Sequence, residues 1–121
     1  GGGDAAAAAG AGPLLQAAAV RALKKLLQPS IESVAPHLSS IVTSILKLLG
    51  ASPAYTVKAQ TRYECLQCLN LLAELPGERV RPFKTQVIKQ LQKTSLDDPR
   101  RPVRQMAVYV CNKWAVVGVV V

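Results

Sequence analysis

The chain has 121 residues, half of them apolar and 4% aromatic, with 15 Lys and Arg against 7 Asp and Glu for a net charge of +8. That length suits one small domain and excludes two comfortable ones, and the aliphatic composition suits packed helices better than a β-sandwich. No stretch approaches the roughly 20 consecutive apolar residues that a membrane-spanning helix needs, and so basic a surface attracts acidic partners, whether protein, nucleic acid or membrane headgroup.

Residues 1–12 are Gly and Ala with a single Asp4 and offer no face to bury, so they read as a low-complexity lead-in. The Gly1-Gly2-Gly3 opening, without Met, is expected of a piece of a longer protein. From Pro13 the chain falls into apolar segments with helical spacing, punctuated by Pro and Gly. Five helices are predicted, over about Pro13–Leu27, Ser30–Leu49, Thr56–Leu75, Arg81–Lys93 and Pro99 or Pro102–Val117. Strict two-residue alternation is absent, which argues against strands. Residues 13–118 form one helical module and 119–121 a tail.

Set against itself with an offset of about 42 residues, the sequence matches apolar to apolar. Ile41 falls on Phe83, Ile45 on Val87, Leu46 on Ile88 and Leu49 on Leu91. Thr61 falls on Val103, Arg62 on Arg104, Cys65 on Ala107, Cys68 on Val110, Leu69 on Cys111 and Leu72 on Trp114. The reading is an all-α solenoid of HEAT or armadillo type, about five helices in two and a half repeats. The stretch Asp97-Asp98-Pro99-Arg100-Arg101-Pro102-Val103-Arg104 is then mainly a helix start. An Asp before the helix accepts from free backbone N–H groups, and a Pro fits the first turn. Val103, Ala107, Val110, Cys111 and Trp114 follow as one buried stripe.

Few residues carry catalytic chemistry. Cys65-x-x-Cys68 lies mid-helix on the core stripe, and the only further zinc-ligand types nearby in kind are Cys111 and His37. We therefore expect no metal there, and the odd, small number of cysteines points to a reducing compartment rather than a disulfide framework. His37 follows Pro36 near a helix start and reads as a solvated or capping residue. Neither a phosphate loop, a catalytic carboxylate pair nor a Ser/His/Asp arrangement is present, so no catalytic residue and no cofactor are assigned. The basic residues Lys84, Lys89, Lys93, Arg100, Arg101, Arg104 and Lys113 read as a solvated face, with Arg104 bridging to acids of an adjacent repeat. With five aromatics in all, single-strand nucleic-acid binding by stacking is poorly supported.

On the last predicted helix, spacing commits Val103, Ala107, Val110, Cys111 and Trp114 inward. Arg101, Gln105, Tyr109 and Asn112 then point away, with Arg104 and Lys113 at the edges. A tyrosine flanked by arginine and lysine has the composition of an interface hot spot, so these six are the candidate partner-binding residues.

The wording Cys65-Leu66-Gln67-Cys68-Leu69, Pro82-Phe83-Lys84-Thr85-Gln86-Val87-Ile88-Lys89 and Leu96 to Arg104, closing at Lys113-Trp114 with Gly118 beyond, resembles the extreme C-terminal HEAT repeats of the MMS-nineteen nucleotide excision repair family. The resemblance spans about residues 31 to 118. It implies a non-catalytic scaffold of the cytosolic iron–sulfur protein assembly (CIA) targeting complex, working in cytoplasm and nucleus. Its C-terminal repeats are expected to dock a small cluster-carrying adaptor that also contacts a WD-repeat propeller. The clients implied are apo iron–sulfur proteins, many of DNA metabolism, with no direct nucleic-acid or membrane contact. Three features depart from the family pattern: the Gly/Ala opening, Ser52-Pro53-Ala54-Tyr55-Thr56 in place of an acidic turn, and Val119 to Val121 in place of a small polar tail. The alternative reading, resting on charge, is a basic HEAT fragment that binds nucleic acid directly in a repair or chromatin assembly.

Overall fold

A computed structural model describes residues 13–27 and 36–119. Its long helices are α1 (Pro13–Leu27), α2 (Leu38–Leu49), α3 (Ala59–Leu72), α4 (Lys84–Asp97) and α5 (Arg101–Ala115), and no strand occurs among the described residues. Short helical turns at Ala54–Thr56, Gly77–Val80 and Arg81–Phe83 fill the connections. Helices α2 and α3 form one hairpin and α4 and α5 the next; α1, α3 and α5 lie side by side as one layer, with α2 and α4 as the other. This is a solenoid-type stack: α3 and α5 occupy equivalent positions about 42 residues apart.

Each helix forms because its apolar residues recur on one side. On α2 the buried residues are Leu38, Val42, Ile45 and Leu49; on α5 they are Val103, Ala107, Val110 and Trp114. Helix α3 is different, being buried at Thr61, Arg62, Glu64, Cys65, Leu66, Cys68, Leu69 and Leu72, because it has neighbours on three sides. A fully buried Leu contributes about 1.5–3 kcal/mol, so Leu66, Leu69 and Leu72, all at 0% exposure, are central to the stack. Trp114 is fully buried too, and its indole Nε1 donates to the Leu69 carbonyl at 2.8 Å, which satisfies the one polar atom a buried Trp carries.

The boundaries differ from the predicted ones where turns compete with helix. Residues 30–35, expected in the second helix, lie outside the described residues, and α2 proper starts at Leu38 after a short turn at Pro36 and His37. Thr56 does not open α3, because its N–H and its hydroxyl both donate to the Pro53 carbonyl, at 3.1 and 2.8 Å, and close a tight turn. Helix α3 stops at Leu72, three residues early, as Glu74 and Leu75 fold into i→i+3 turns ahead of Pro76. Helix α4 runs on past Lys93 to Asp97: Thr94 is buried and accepts from Gln90 Nε2 at 3.1 Å, so it packs rather than breaks the helix. Helix α5 begins at Arg101 with Pro102 in its first turn and ends at Ala115.

Gly118 terminates the last turn with φ of +73°, a conformation that disfavours a Cβ, and a Cβ there would also lie 2.8 Å from Arg81 Nε. Arg81 Nη2 donates to the Gly118 carbonyl at 3.2 Å and Lys84 Nζ to Val117 at 2.9 Å, so two basic side chains satisfy the carbonyls beyond the helix end.

Candidate functional site

The most constrained polar group lies at the joint between the two hairpins. Arg62, near the start of α3, is 2% exposed, and its Nε and Nη2 donate to Asp98 Oδ2 and Oδ1 at 2.7 and 3.0 Å. Its Nη1 donates to the carbonyls of Ala54, at 3.1 Å, and Val57. Asp98 also accepts from the Arg100 backbone N–H at 2.9 Å, closing a short turn ahead of α5, and it does not make the side-chain cap bond to the first turn of the helix that was expected of an Asp there. Each guanidinium nitrogen thus has an acceptor, which a buried ion pair requires if its desolvation is to be offset.

The expected bridge between repeats is therefore made by Arg62 and not by Arg104. Arg104 is half-buried, and its Nη1 donates to the Asp98 backbone carbonyl at 2.8 Å. Asp97, the other acid of the motif, is exposed.

A second polar seam joins α1 to α3. Glu64 is 3% exposed; its Oε1 accepts from Gln60 Nε2 at 3.1 Å and lies 3.7 Å from Arg21 Nε, while Lys24 Nζ stands 4.0 Å from Oε2. Lys24 Nζ also donates to Gln67 Oε1 at 3.0 Å. Neither Glu64 nor its partners on α1 stood out in the sequence, because a Glu inside an apolar run has no local signal for the charged helix beside it.

Cys65 and Cys68 are fully buried, and burial raises both thiols; that of Cys68 is pushed up to about 12, with Lys24 opposing and Glu64 adding to the shift. Among the described residues no group of three or more His, Cys, Asp and Glu side chains is placed to hold a metal ion. Cys111, expected within the buried stripe, is only half-buried, packed against the core at the edge of that stripe. His37 occupies the position before α2 without a side-chain cap bond and is exposed, so it is solvated and not a cap. A shallow depression of about 220 Å³ lies between the ends of α2 and α4, lined by Gly50, Ser52, Gln90, Lys93, Thr94 and Asp97.

All six candidate partner-binding residues lie on α5. Arg101, Gln105, Tyr109 and Asn112 are exposed, Tyr109 at 60%, and Arg104 and Lys113 are half-buried at the edges. Lys113 Nζ reaches Glu74 Oε1 at 3.1 Å and so ties α5 to the end of α3. The helix offers an aromatic ring, two amides and cationic heads to solvent, a surface suited to docking a protein and lacking a nucleophile–base pair.

Comparison with known proteins fixes the lineage. The chain is 34% identical over 105 residues to the MMS19 nucleotide excision repair protein homologs of Bos taurus and Homo sapiens, an alignment covering 87% of this chain. A plant relative of the same name, from Arabidopsis thaliana, is 34% identical over 84 residues, or 69% of this chain. The chain belongs to the MMS19 nucleotide excision repair protein family. It spans about one tenth of the length of the animal MMS19 relatives and 7% of the plant one. No family model matches it. Its helical-repeat architecture agrees with what the MMS19 resemblance implies, and no helix among the described residues is long and apolar enough to cross a membrane.

Proposed function

We propose that this chain is a non-catalytic HEAT-repeat docking module, the C-terminal end of an MMS19-type scaffold in the CIA targeting complex. It holds the cluster-carrying adaptor, which also contacts a WD-repeat propeller, and so helps deliver iron–sulfur clusters to apo-proteins of DNA metabolism in cytoplasm and nucleus. The observation that carries the reading is the pairing of an MMS19 lineage with an exposed, basic and aromatic face on α5. The buried Arg62–Asp98 pair supports it by fixing α5 rigidly against α3, so that the face is presented with little conformational cost on binding.

The test is a titration of the intact chain with the adaptor at two salt concentrations. The adaptor reading expects a stoichiometric complex with weak salt dependence, reduced tenfold or more by Tyr109→Ala with Arg101→Glu while helicity and melting temperature stay near wild type. Direct nucleic-acid binding is the competing outcome, favoured by the net charge of +8. It predicts affinity for duplex DNA whose logarithm falls with log salt by roughly 0.9 per phosphate contacted, with no adaptor complex.

A further inference from the structure

Helix α3 has neighbours on both flanks, α1 and α5, and packs on α2. The side it still leaves open is one that further helices of the stack do not cover, since repeats added beside α1 or α5 lengthen the layer without roofing it. At about 100° per residue, Tyr63, Gln67 and Asn70 share that side, opposite Cys65, Cys68 and Leu72, and all three are half-buried. The equivalent residues of α5 are Gln105, Tyr109 and Asn112, all exposed. Arg21 and Lys25 take the same register on α1, which the Lys24–Gln67 bond and the approach of Arg21 to Glu64 hold in place. Rows thus cross the layer, with Lys25, Gln67 and Tyr109 in one and Asn70 and Asn112 in the next.

We propose that this side of the α1–α3–α5 layer binds an extended, acidic segment of a partner protein, running across the helices with its main chain bonded by Asn70 and Asn112. A helical partner would need an apolar stripe to receive it, and neither row carries an aliphatic anchor. A carboxamide offers a donor and an acceptor together, which match the C=O and N–H of an extended chain. Packed helices stand roughly 8–10 Å apart and an extended chain rises about 3.3 Å per residue, so successive asparagines meet about every third residue. Asn70 Oδ1 is enclosed and lacks a donor among the described residues, a deficit removed when the carboxamide turns out to a bound N–H. Charge sets the sign of the segment's side chains. Lys25 and Arg101 are exposed along this side, whereas Glu64 is 3% exposed beside Arg21 and Lys24, and Glu74 is taken by Lys113. This deepens the docking reading and rests on it for the arrival of a protein partner at α5.

The experiment titrates the intact chain with two capped peptides of alternating Glu and Ser, equal in length. One is N-methylated along its central main chain, so that its charge is kept and its N–H donors are lost. We expect the unmodified peptide to bind, N-methylation to weaken it tenfold or more, and Asn112→Ala to weaken it at least fivefold with helicity unchanged. Lys25→Glu should weaken it as well. Equal affinity for the two peptides, or a neutral Asn112→Ala, makes the face a general anion surface and overturns the inference. Failure of the unmodified peptide to bind overturns it too, and the docking reading stands if the adaptor still forms its complex. Peptide binding that depends on the main chain, without any adaptor complex, upholds the inference and removes the adaptor. A peptide taken by this chain but refused when the chain is carried in a full-length MMS19-type scaffold makes a segment of that scaffold the occupant and overturns the claim of a partner.

Discussion

Helices α3 and α5 hold the same place in successive repeats, with the same arginine near the start and an apolar run after it, yet they live in different surroundings. Arg62 is 2% exposed and held by a bidentate aspartate and two carbonyls, while Arg104 is half-buried with one carbonyl. Leu66 is 0% exposed where its counterpart Val108 is 49% exposed. What separates the two is the next helix along the stack: α5 packs on that side of α3, and no described helix packs on the equivalent side of α5. Burial in a solenoid is set by neighbours as much as by pattern, so one repeat motif serves as core in one place and as surface in the next.

The comparison breaks most sharply at the two arginines. Arg62→Ala leaves Asp98 buried without its counter-ion and is expected to cost about 3–5 kcal/mol in urea unfolding, whereas Arg104→Ala is expected to cost under about 1 kcal/mol. Equal losses at the two positions contradict the contrast. The apolar pair should follow: Leu66→Ala loses about 2–5 kcal/mol and Val108→Ala within about 0.5 kcal/mol, measured the same way.

A smaller effect tests how α5 is joined to α3. Trp114→Phe keeps most of the ring but removes the donor to the Leu69 carbonyl, and about 1–3 kcal/mol should be lost. A loss no larger than that of an exposed substitution means the bond does not hold the joint.

Alkaline pH tests the burial of the thiols, each of which burial raises. Cys68 is raised from 9.0 to about 12, so between those values the unfolded chain ionises where the native chain does not. Its contribution is therefore complete below about pH 9 and is lost as pH rises toward 12. Replacing Cys65 and Cys68 together by Ala should cost at most a few kcal/mol at neutral pH, flatten this alkaline decline and leave metal content unchanged. Stoichiometric zinc or iron in the wild-type protein that disappears in the double variant contradicts the packing role. The smallest effect belongs to the exposed Lys113–Glu74 pair, where Lys113→Ala should change stability by less than about 1 kcal/mol.

Much of this contrast was legible in the sequence and part of it was not. The 42-residue match placed α3 and α5 in register, since Ala59–Leu72 and Arg101–Ala115 begin at equivalent residues. It also aligned Arg62 with Arg104, but the bridge was expected of Arg104; which of them crosses to the next repeat depends on a contact between residues 36 apart in the chain, and local pattern does not report that. The same limit hid the burial of Glu64, whose cations sit on α1, and placed Cys111 fully in the core when it is only partly buried against it. Helix ends were missed where side chains compete for the backbone, as at Thr56, or where a polar residue packs, as at Thr94.

The docking role of α5 is tested most directly by hydrogen–deuterium exchange of the intact chain, alone and saturated with the adaptor. Slowed exchange is expected in peptides covering Arg101–Ala115 and in the turn before them, with those of α2 unchanged. Protection confined to α1 or α2, with α5 exchanging as it does in the free chain, would contradict it.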